Sequence, residues 1–224
     1  VDNTIDVPTF DGYTAKSYTF NNGASTDITN ASKGITVKPT EKTATLTITY
    51  ERKDGSIVLP GVDSAYPAPD HDKDNVIVTP DDVNKPLVDN GDEGVKVPDD
   101  GTATVTRPTD KGKEDITVPG GSVVKPDGTI VLPNPNGGEI GPNDKIPENL
   151  PKGYVAITYD SNNSNREVKK EIGKAGVLKV SDSLFTDPSN RSFAGWNDSG
   201  SGNGTTYAKD TTVSANLTLY AVWN

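Results

Sequence analysis

The residues best suited to chemistry form a short acidic run in the middle of the chain. Asp70, Asp72 and Asp74 alternate with His71 and a lysine, and Asp81 stands at the twelfth position counted from Asp70. Carboxylates at alternate positions can direct several oxygen ligands at one hard cation, so Asp70, Asp72, Asp74 and Asp81 form a candidate calcium site. The sixth position is an asparagine instead of glycine, and no helical pattern flanks the run. We therefore favour a solvated acidic turn and keep calcium as the alternative.

A second candidate site consists of aromatic residues near the end of the chain. Flat apolar rings suit the faces of sugars, so Trp196 and Tyr207 are candidates for a ligand surface. Phe193, Tyr220 and Trp223 lie in the same stretch. In a region of about 70 residues, such rings more often form the hydrophobic core, which we favour.

No catalytic site can be assembled from these residue types. The chain has one histidine and no cysteine, so it lacks the groups for a thiol nucleophile or a multi-histidine metal site. The acidic pairs Asp81-Asp82 and Asp99-Asp100 have no aromatic neighbours to raise a carboxyl pKa. We expect a protein that is not an enzyme, with no catalytic or cofactor-binding residues.

The composition restricts the class of partner. The formal net charge is −10, so the clustered positive charge that nucleic acid requires is missing. No stretch approaches the roughly 20 apolar residues that cross a bilayer. We expect neither nucleic-acid binding nor a membrane span, and we expect a monomer.

Charge and proline divide the chain into residues 1–53, 54–153 and 154–224. The middle region holds 19 acidic and nine basic residues, 14 of the 17 prolines and a single aromatic residue, Tyr66. The two flanking regions are balanced in charge and hold the other aromatic residues. Because the flanks hold most of the aromatic residues, only they are predicted to form compact modules with a hydrophobic core of their own.

Residues 1–53 read as a small β-rich module. Leu46, Ile48 and Tyr50 alternate with threonines, which predicts a half-buried strand. The segments 8–14 and 44–51 resemble the later part of the mucin-binding-protein-type repeats of Gram-positive surface proteins.

Residues 54–153 carry short β-branched runs that end in proline. The prolines at 60, 80, 98 and 119 are about 20 residues apart, and those at 119, 126 and 133 are seven apart. The segments 54–60 and 127–133 are nearly the same heptad. This spacing predicts a short triangular β-solenoid, in which strands stack and Asp-Gly turns form the corners. An extended proline-rich spacer and some other β arrangement are the alternatives.

Residues 154–224 contain the most specific motifs. A strand pattern at 154–160 precedes a Phe-Ala-Gly-Trp box at 193–196, a Gly-Thr-Thr-Tyr turn at 204–207 and the ending Asn-Leu-Thr-Leu-Tyr-Ala-Val-Trp at 216–223. In this order they resemble the internalin B-repeat, also called the Listeria-Bacteroides repeat. The resemblance implies a β-grasp-like domain of secreted and wall-attached bacterial proteins, with a structural or adhesive role.

Together these patterns predict a mainly β, elongated chain of several modules. The function we expect is that of a spacer or adhesin segment, secreted or attached to the bacterial cell wall. The alternative is a module that binds a host glycan or protein through its C-terminal or N-terminal domain.

Overall fold

A computed structural model describes residues 2–28, 34–38, 43–59, 75–133 and 138–224. The described residues form β-strands and turns with no α-helix, which confirms the predicted mainly β fold class. A turn of 3-10 helix lies at Gly91–Glu93. No helix in this part of the chain has the length and hydropathy needed to cross a bilayer.

The first five strands form two small antiparallel sheets. They are β1 (Asn3–Ile5), β2 (Tyr13–Phe20), β3 (Thr26–Asp27), β4 (Ile35–Val37) and β5 (Leu46–Arg52). β1 pairs with β4, and β2 lies between β3 and β5. Along β5, half-buried side chains alternate with exposed ones, as the threonine pattern predicts.

Nine of the described strands come from the proline-rich region. They are β6 (Ile57–Leu59), β7 (Val76–Pro80), β8 (Val88–Asp89), β9 (Val95–Lys96), β10 (Thr102–Thr109), β11 (Gly112–Pro119), β12 (Val123–Val124), β13 (Ile130–Leu132) and β14 (Gly138–Ile140). Prolines end β7 and β11, because proline cannot donate to a ladder and is best tolerated at its limits.

Five strands come from the aromatic-rich C-terminal region. They are β15 (Tyr154–Asp160), β16 (Val168–Lys174), β17 (Phe193–Asn197), β18 (Thr206–Tyr207) and β19 (Leu217–Trp223). The Phe-Ala-Gly-Trp box lies in β17, and the C-terminal motif lies in β19. Between β16 and β17 the chain runs as turns, with one bridge between Lys179 and Thr212.

A single nine-stranded sheet joins the middle and C-terminal regions. Its strand order is β18-β17-β19-β15-β16-β11-β10-β7-β6. Neighbours are antiparallel except at two places, where β11 pairs with β16 and β15 pairs with β19 in parallel. The β11–β16 pairing places Ile116 opposite Lys170, so the sheet continues across the sequence boundary at residue 153.

A five-stranded antiparallel sheet, in the order β14-β13-β12-β9-β8, contributes to the same core as the nine-stranded one. Buried side chains of both sheets form one apolar cluster. Members from the C-terminal region are Tyr154, Ala156 and Ile172, and they join residues such as Ile116 and Ile130. The proline-rich region and the C-terminal region thus share an interior.

The C-terminal region also has a core of its own on the opposite face of β15. Side chains alternate across a strand, so Val155, Ile157 and Tyr159 face away from the shared cluster. They pack with Trp196 and Leu219, among others. β15 is therefore buried on both faces, and it places apolar residues in two cores.

The triangular solenoid is not confirmed. Stacked coils would pair equivalent short strands in parallel, whereas the described strands from β6 to β14 pair with one another only in antiparallel fashion. This region is also packed, since Val78, Val105 and Val118 are fully buried.

The two nearly identical heptads do form the same local structure. In each heptad, an aspartate side chain accepts a hydrogen bond at 2.9 Å from the backbone N–H two residues further on. Asp54 accepts from Ser56, and Asp127 accepts from Thr129. The glycine between them has a positive φ, and a strand follows. The strands are β6 and β13, which lie in different sheets.

Candidate functional site

Most of the predicted calcium ligands lie outside the described residues. These are Asp70, Asp72 and Asp74, together with His71. Asp81 is described, and its carboxylate accepts hydrogen bonds from the hydroxyls of Thr102 at 2.5 Å and Thr104 at 2.8 Å. Among the described residues, no group of three or more His, Cys, Asp and Glu side chains could hold a metal ion. The calcium site stays a prediction.

The aromatic candidates Trp196 and Tyr207 are paired across β17 and β18 but differ in exposure. Trp196 is 1% exposed, and its ring packs against Tyr159, Phe185 and Phe193 with centroids 4.7 to 6.1 Å apart. Its indole N–H donates to the carbonyl of Ser181 at 3.0 Å. Trp196 therefore presents no ring face to a ligand, whereas Tyr207 is half-buried at the edge of the sheet.

The junction between β10, β11 and β16 holds a group of charges, one buried and two partly buried, that motif analysis did not find. Arg107 of β10 has 2% of its side chain exposed and lies directly opposite Glu114 of β11. Its Nε donates to Glu114 Oε1 at 2.5 Å. The other carboxylate oxygen of Glu114 lies 3.5 Å from Nζ of Lys170 on β16. The three side chains connect three neighbouring strands.

The same cations hold the connection between β14 and β15. The terminal nitrogens of Arg107 donate to the carbonyls of Gly141, at 2.8 Å, and Asp144. Lys170 donates to the carbonyl of Ile146 at 2.8 Å. A buried cation is costly unless its donors are paired, and here the neighbouring carboxylate and three carbonyls supply partners. We call Arg107, Glu114 and Lys170 the junction triad.

One strand position further along β16 lies a partly buried carboxylate. Glu171 accepts a hydrogen bond from the Ser181 hydroxyl at 2.7 Å, and it lies near Tyr159 and Asp81. Burial is the largest influence, and it raises the pKa of the Glu171 carboxyl. Burial likewise raises the pKa of Tyr159 to about 12.

The junction triad had a signal in the sequence. In the strand 102–109 the positions of Ala103 and Val105 face the core, and Arg107 continues that alternation. An arginine at an inward position requires a buried anion and further acceptors. That signal identifies Arg107 but not its partners, because nothing local indicates that β16 pairs with β11.

A small pocket lies beside the triad. Its volume is about 230 Å³, below the roughly 300 Å³ at which ligand pockets usually begin. Arg107 contributes to the lining, but its Nε and both terminal nitrogens already donate to the partners described above. The other lining residues are Leu59, Asn75, Val76, Pro108, Pro126, Asp127, Gly128, Pro142 and Asn143.

Comparison of the chain with protein-family models, with curated proteins and with solved structures finds no match. The described contacts of the junction triad hold three neighbouring strands and the β14–β15 connection together.

The junction triad predicts strong energetic coupling between Arg107 and Glu114. Glu114→Gln leaves the buried guanidinium of Arg107 without its carboxylate, and Arg107→Met leaves Glu114 and two backbone carbonyls without their donor. Each variant should therefore lower the free energy of unfolding by about 3–5 kcal/mol. The double variant should lose much less than the sum. Urea unfolding of the four proteins measures the coupling.

The exposed pair Lys125 and Glu139, 3.0 Å apart, is the matched control. Its cycle, made with the same substitution types, should show coupling of only about 0.2–1 kcal/mol. Equal coupling in the two cycles would contradict the structural role of the triad.

The environment of Glu171 predicts a pH dependence of stability. Because the folded-state pKa is raised, the stability this carboxyl contributes is fully present below its unfolded pKa of about 4.3 and is lost as the pH rises through the folded value. Glu171→Gln should therefore raise the melting temperature at pH 7, and the gain should shrink toward pH 4.

Glu167→Gln, at an exposed position that precedes the same strand, serves as the comparison and should leave the melting temperature nearly unchanged. A loss of stability in Glu171→Gln at pH 7 would show that the buried carboxylate is favourable as an anion.

Proposed function

We propose that this chain is a non-enzymatic spacer segment of a bacterial cell-surface or secreted protein, which holds a binding domain at a distance from the cell wall. The observation that supports this proposal is the nine-stranded sheet that runs from β6 to β18 across the predicted boundary. A spacer sets distance only if its parts keep a constant arrangement.

The junction is built to resist bending. Neighbouring domains move relative to each other by default unless their interface is large and apolar. Here Tyr154, Ala156 and Ile172 are buried in the core of the preceding region, so a hinge at this point would expose apolar surface. The hydroxyl of Tyr154 also donates to the carbonyl of Pro133 at 2.8 Å. These contacts favour a stiff body over a flexible linker.

Location at the bacterial surface rests on two resemblances. Residues 154–224 resemble internalin B-repeats, and residues 1–53 resemble mucin-binding-protein-type repeats through the segments 8–14 and 44–51. Both families belong to secreted or wall-attached proteins with modular architecture. In this proposal residues 154–224 are a β-grasp-like module, and the chain acts as a monomer without cofactor.

The alternative function is binding of a host glycan or protein. The observation that favours it is Tyr207, an aromatic side chain that remains half-buried in the short edge strand β18. Its ring packs against the edge of the C-terminal core and stays partly exposed, whereas Trp196 is buried. A calcium ion held by Asp70, Asp72, Asp74 and Asp81 would be compatible with either function.

Surface display tests the spacer function. The chain is inserted between a wall anchor and a peptide epitope on Gram-positive cells, and antibody binding to the intact cells is compared with that of the epitope fused directly to the anchor. We expect more antibody to bind when the chain is present, because the epitope then lies beyond the wall polymers. Equal binding at equal expression would contradict the proposal.

The purified chain is also applied to arrays of glycans and host matrix proteins. The spacer function predicts no specific binding. Specific binding that Tyr207→Ala abolishes without lowering the melting temperature would replace the spacer function with the alternative. Trp196→Ala is unsuitable here, since emptying so large a buried site costs about 3–5 kcal/mol on its own.

A further inference from the structure

The strands at which the chain enters and leaves the C-terminal region lie side by side and parallel. β15 begins at Tyr154, β19 ends at Trp223, and their ladder pairs Ile157 with Leu217 through Asp160 with Tyr220. In a parallel pair the start of one strand and the end of the other lie at opposite ends of the ladder. Tension on the flanking chain therefore pulls the two strands along their length in opposite directions.

Side chains tie this pair at both ends, in addition to the backbone ladder. At the start, Asn216 Oδ1 accepts the backbone N–H of Ala156 at 3.0 Å. At the other end, Asn162 Nδ2 donates to the carbonyl of Ala221 at 3.0 Å, and the indole N–H of Trp223 donates to the carbonyl of Ser161 at 2.7 Å. These three bonds join backbone groups of one strand region to side chains of the other.

The pair is also enclosed. β15 is also hydrogen-bonded to β16 along its outer edge, and β19 is hydrogen-bonded to β17 along its outer edge. Neither strand of the pair is therefore an edge strand of the sheet. Ile157 and Tyr159 on one strand, and Leu219 and Ala221 on the other, are buried in the same core. Water is thereby kept from one face of the ladder, where it would compete for the hydrogen bonds.

We propose that the β15–β19 pair is a tension-bearing clamp. When load acts along parallel strands, the ladder bonds and the three side-chain bonds are strained together, and the pair yields only when they fail together. When load enters at one end, the bonds open one after another. The mechanical property rests on the strand geometry alone. Its role, which is to resist pulling on a surface-anchored protein, rests on the proposed spacer function.

Single-molecule force spectroscopy on the full chain tests the clamp, and the absence of cysteine allows two handles to be placed at will. Lys152→Cys with Asn224→Cys loads the pair along its length. Lys152→Cys with Ala215→Cys loads the same two strands at one end, because β15 and β19 start together. The three positions are exposed in the structure.

We expect the lengthwise geometry to rupture at a severalfold higher force than the end-loaded geometry at the same loading rate. Rupture should release residues 152–224 in one step, at about 3.5 Å of contour length per residue. Equal forces in the two geometries, or release in several small steps, would overturn the clamp.

A variant tests one of the three side-chain ties. Asn162→Gly removes the amide that donates to Ala221, and also to the carbonyl of Gly200 at 3.0 Å, and keeps a residue suited to the positive φ of that position. The variant should lower the lengthwise rupture force and leave the end-loaded rupture force nearly unchanged. An equal proportional loss of both forces would show that Asn162 contributes only to general stability, and it would overturn the part of Asn162 in the clamp. These results are independent of surface display, so the clamp and the spacer function can fail separately.

Discussion

The nine-stranded sheet depends on the parallel pairing of β11 with β16, which joins its two halves. This ladder covers only three residue pairs, from Asp115 with Lys169 to Thr117 with Glu171, yet it joins a four-stranded and a five-stranded half into one sheet. So short a ladder needs support from side chains. On one face the support is apolar, through Ile116 and Ile172, and beside it the junction triad supplies buried charge.

The two kinds of support differ in what they specify. Apolar contact stabilises any arrangement that buries the same area, whereas Arg107 requires acceptors at particular positions. Its guanidinium is satisfied only when β11 brings Glu114 and the segment before β15 brings the carbonyls of Gly141 and Asp144. We attribute the register of the junction to this requirement, and we attribute most of its stability to the shared core.

Local features of the fold followed from the residues, and long-range features did not. The alternation in β5 and the Asp-Gly turns before β6 and β13 were predictable, because each depends on neighbours within a few positions. The solenoid rested on the further step that equal heptads occupy equivalent places in a stack. Instead, β6 and β13 bury Leu59 and Leu132 from different sheets, since a repeated strand can serve any sheet that has room for its apolar face.

Of the candidate sites, the aromatic one shows why residue type alone is insufficient. Trp196 and Tyr207 occupy paired positions, but the turns after β16 bring Phe185 over the indole and leave the phenol at the edge. Glu171 was not predictable for the same reason: its burial comes from Ser181 and its surroundings, which approach from a segment without regular structure. Non-local chain packing determines exposure.

The claim that the middle and C-terminal regions share one interior is tested most directly by a cavity far from the reporters. Both tryptophans of the chain, Trp196 and Trp223, lie in the C-terminal region, and Ile130 lies in the five-stranded sheet. Ile130→Ala should lower the free energy of unfolding by about 2–5 kcal/mol, and it should shift the unfolding midpoints seen by tryptophan fluorescence and by circular dichroism together. Val131 is half-exposed on the same strand, so Val131→Ala should shift both midpoints far less. An unchanged fluorescence midpoint, with an earlier separate step in circular dichroism, would contradict the shared interior.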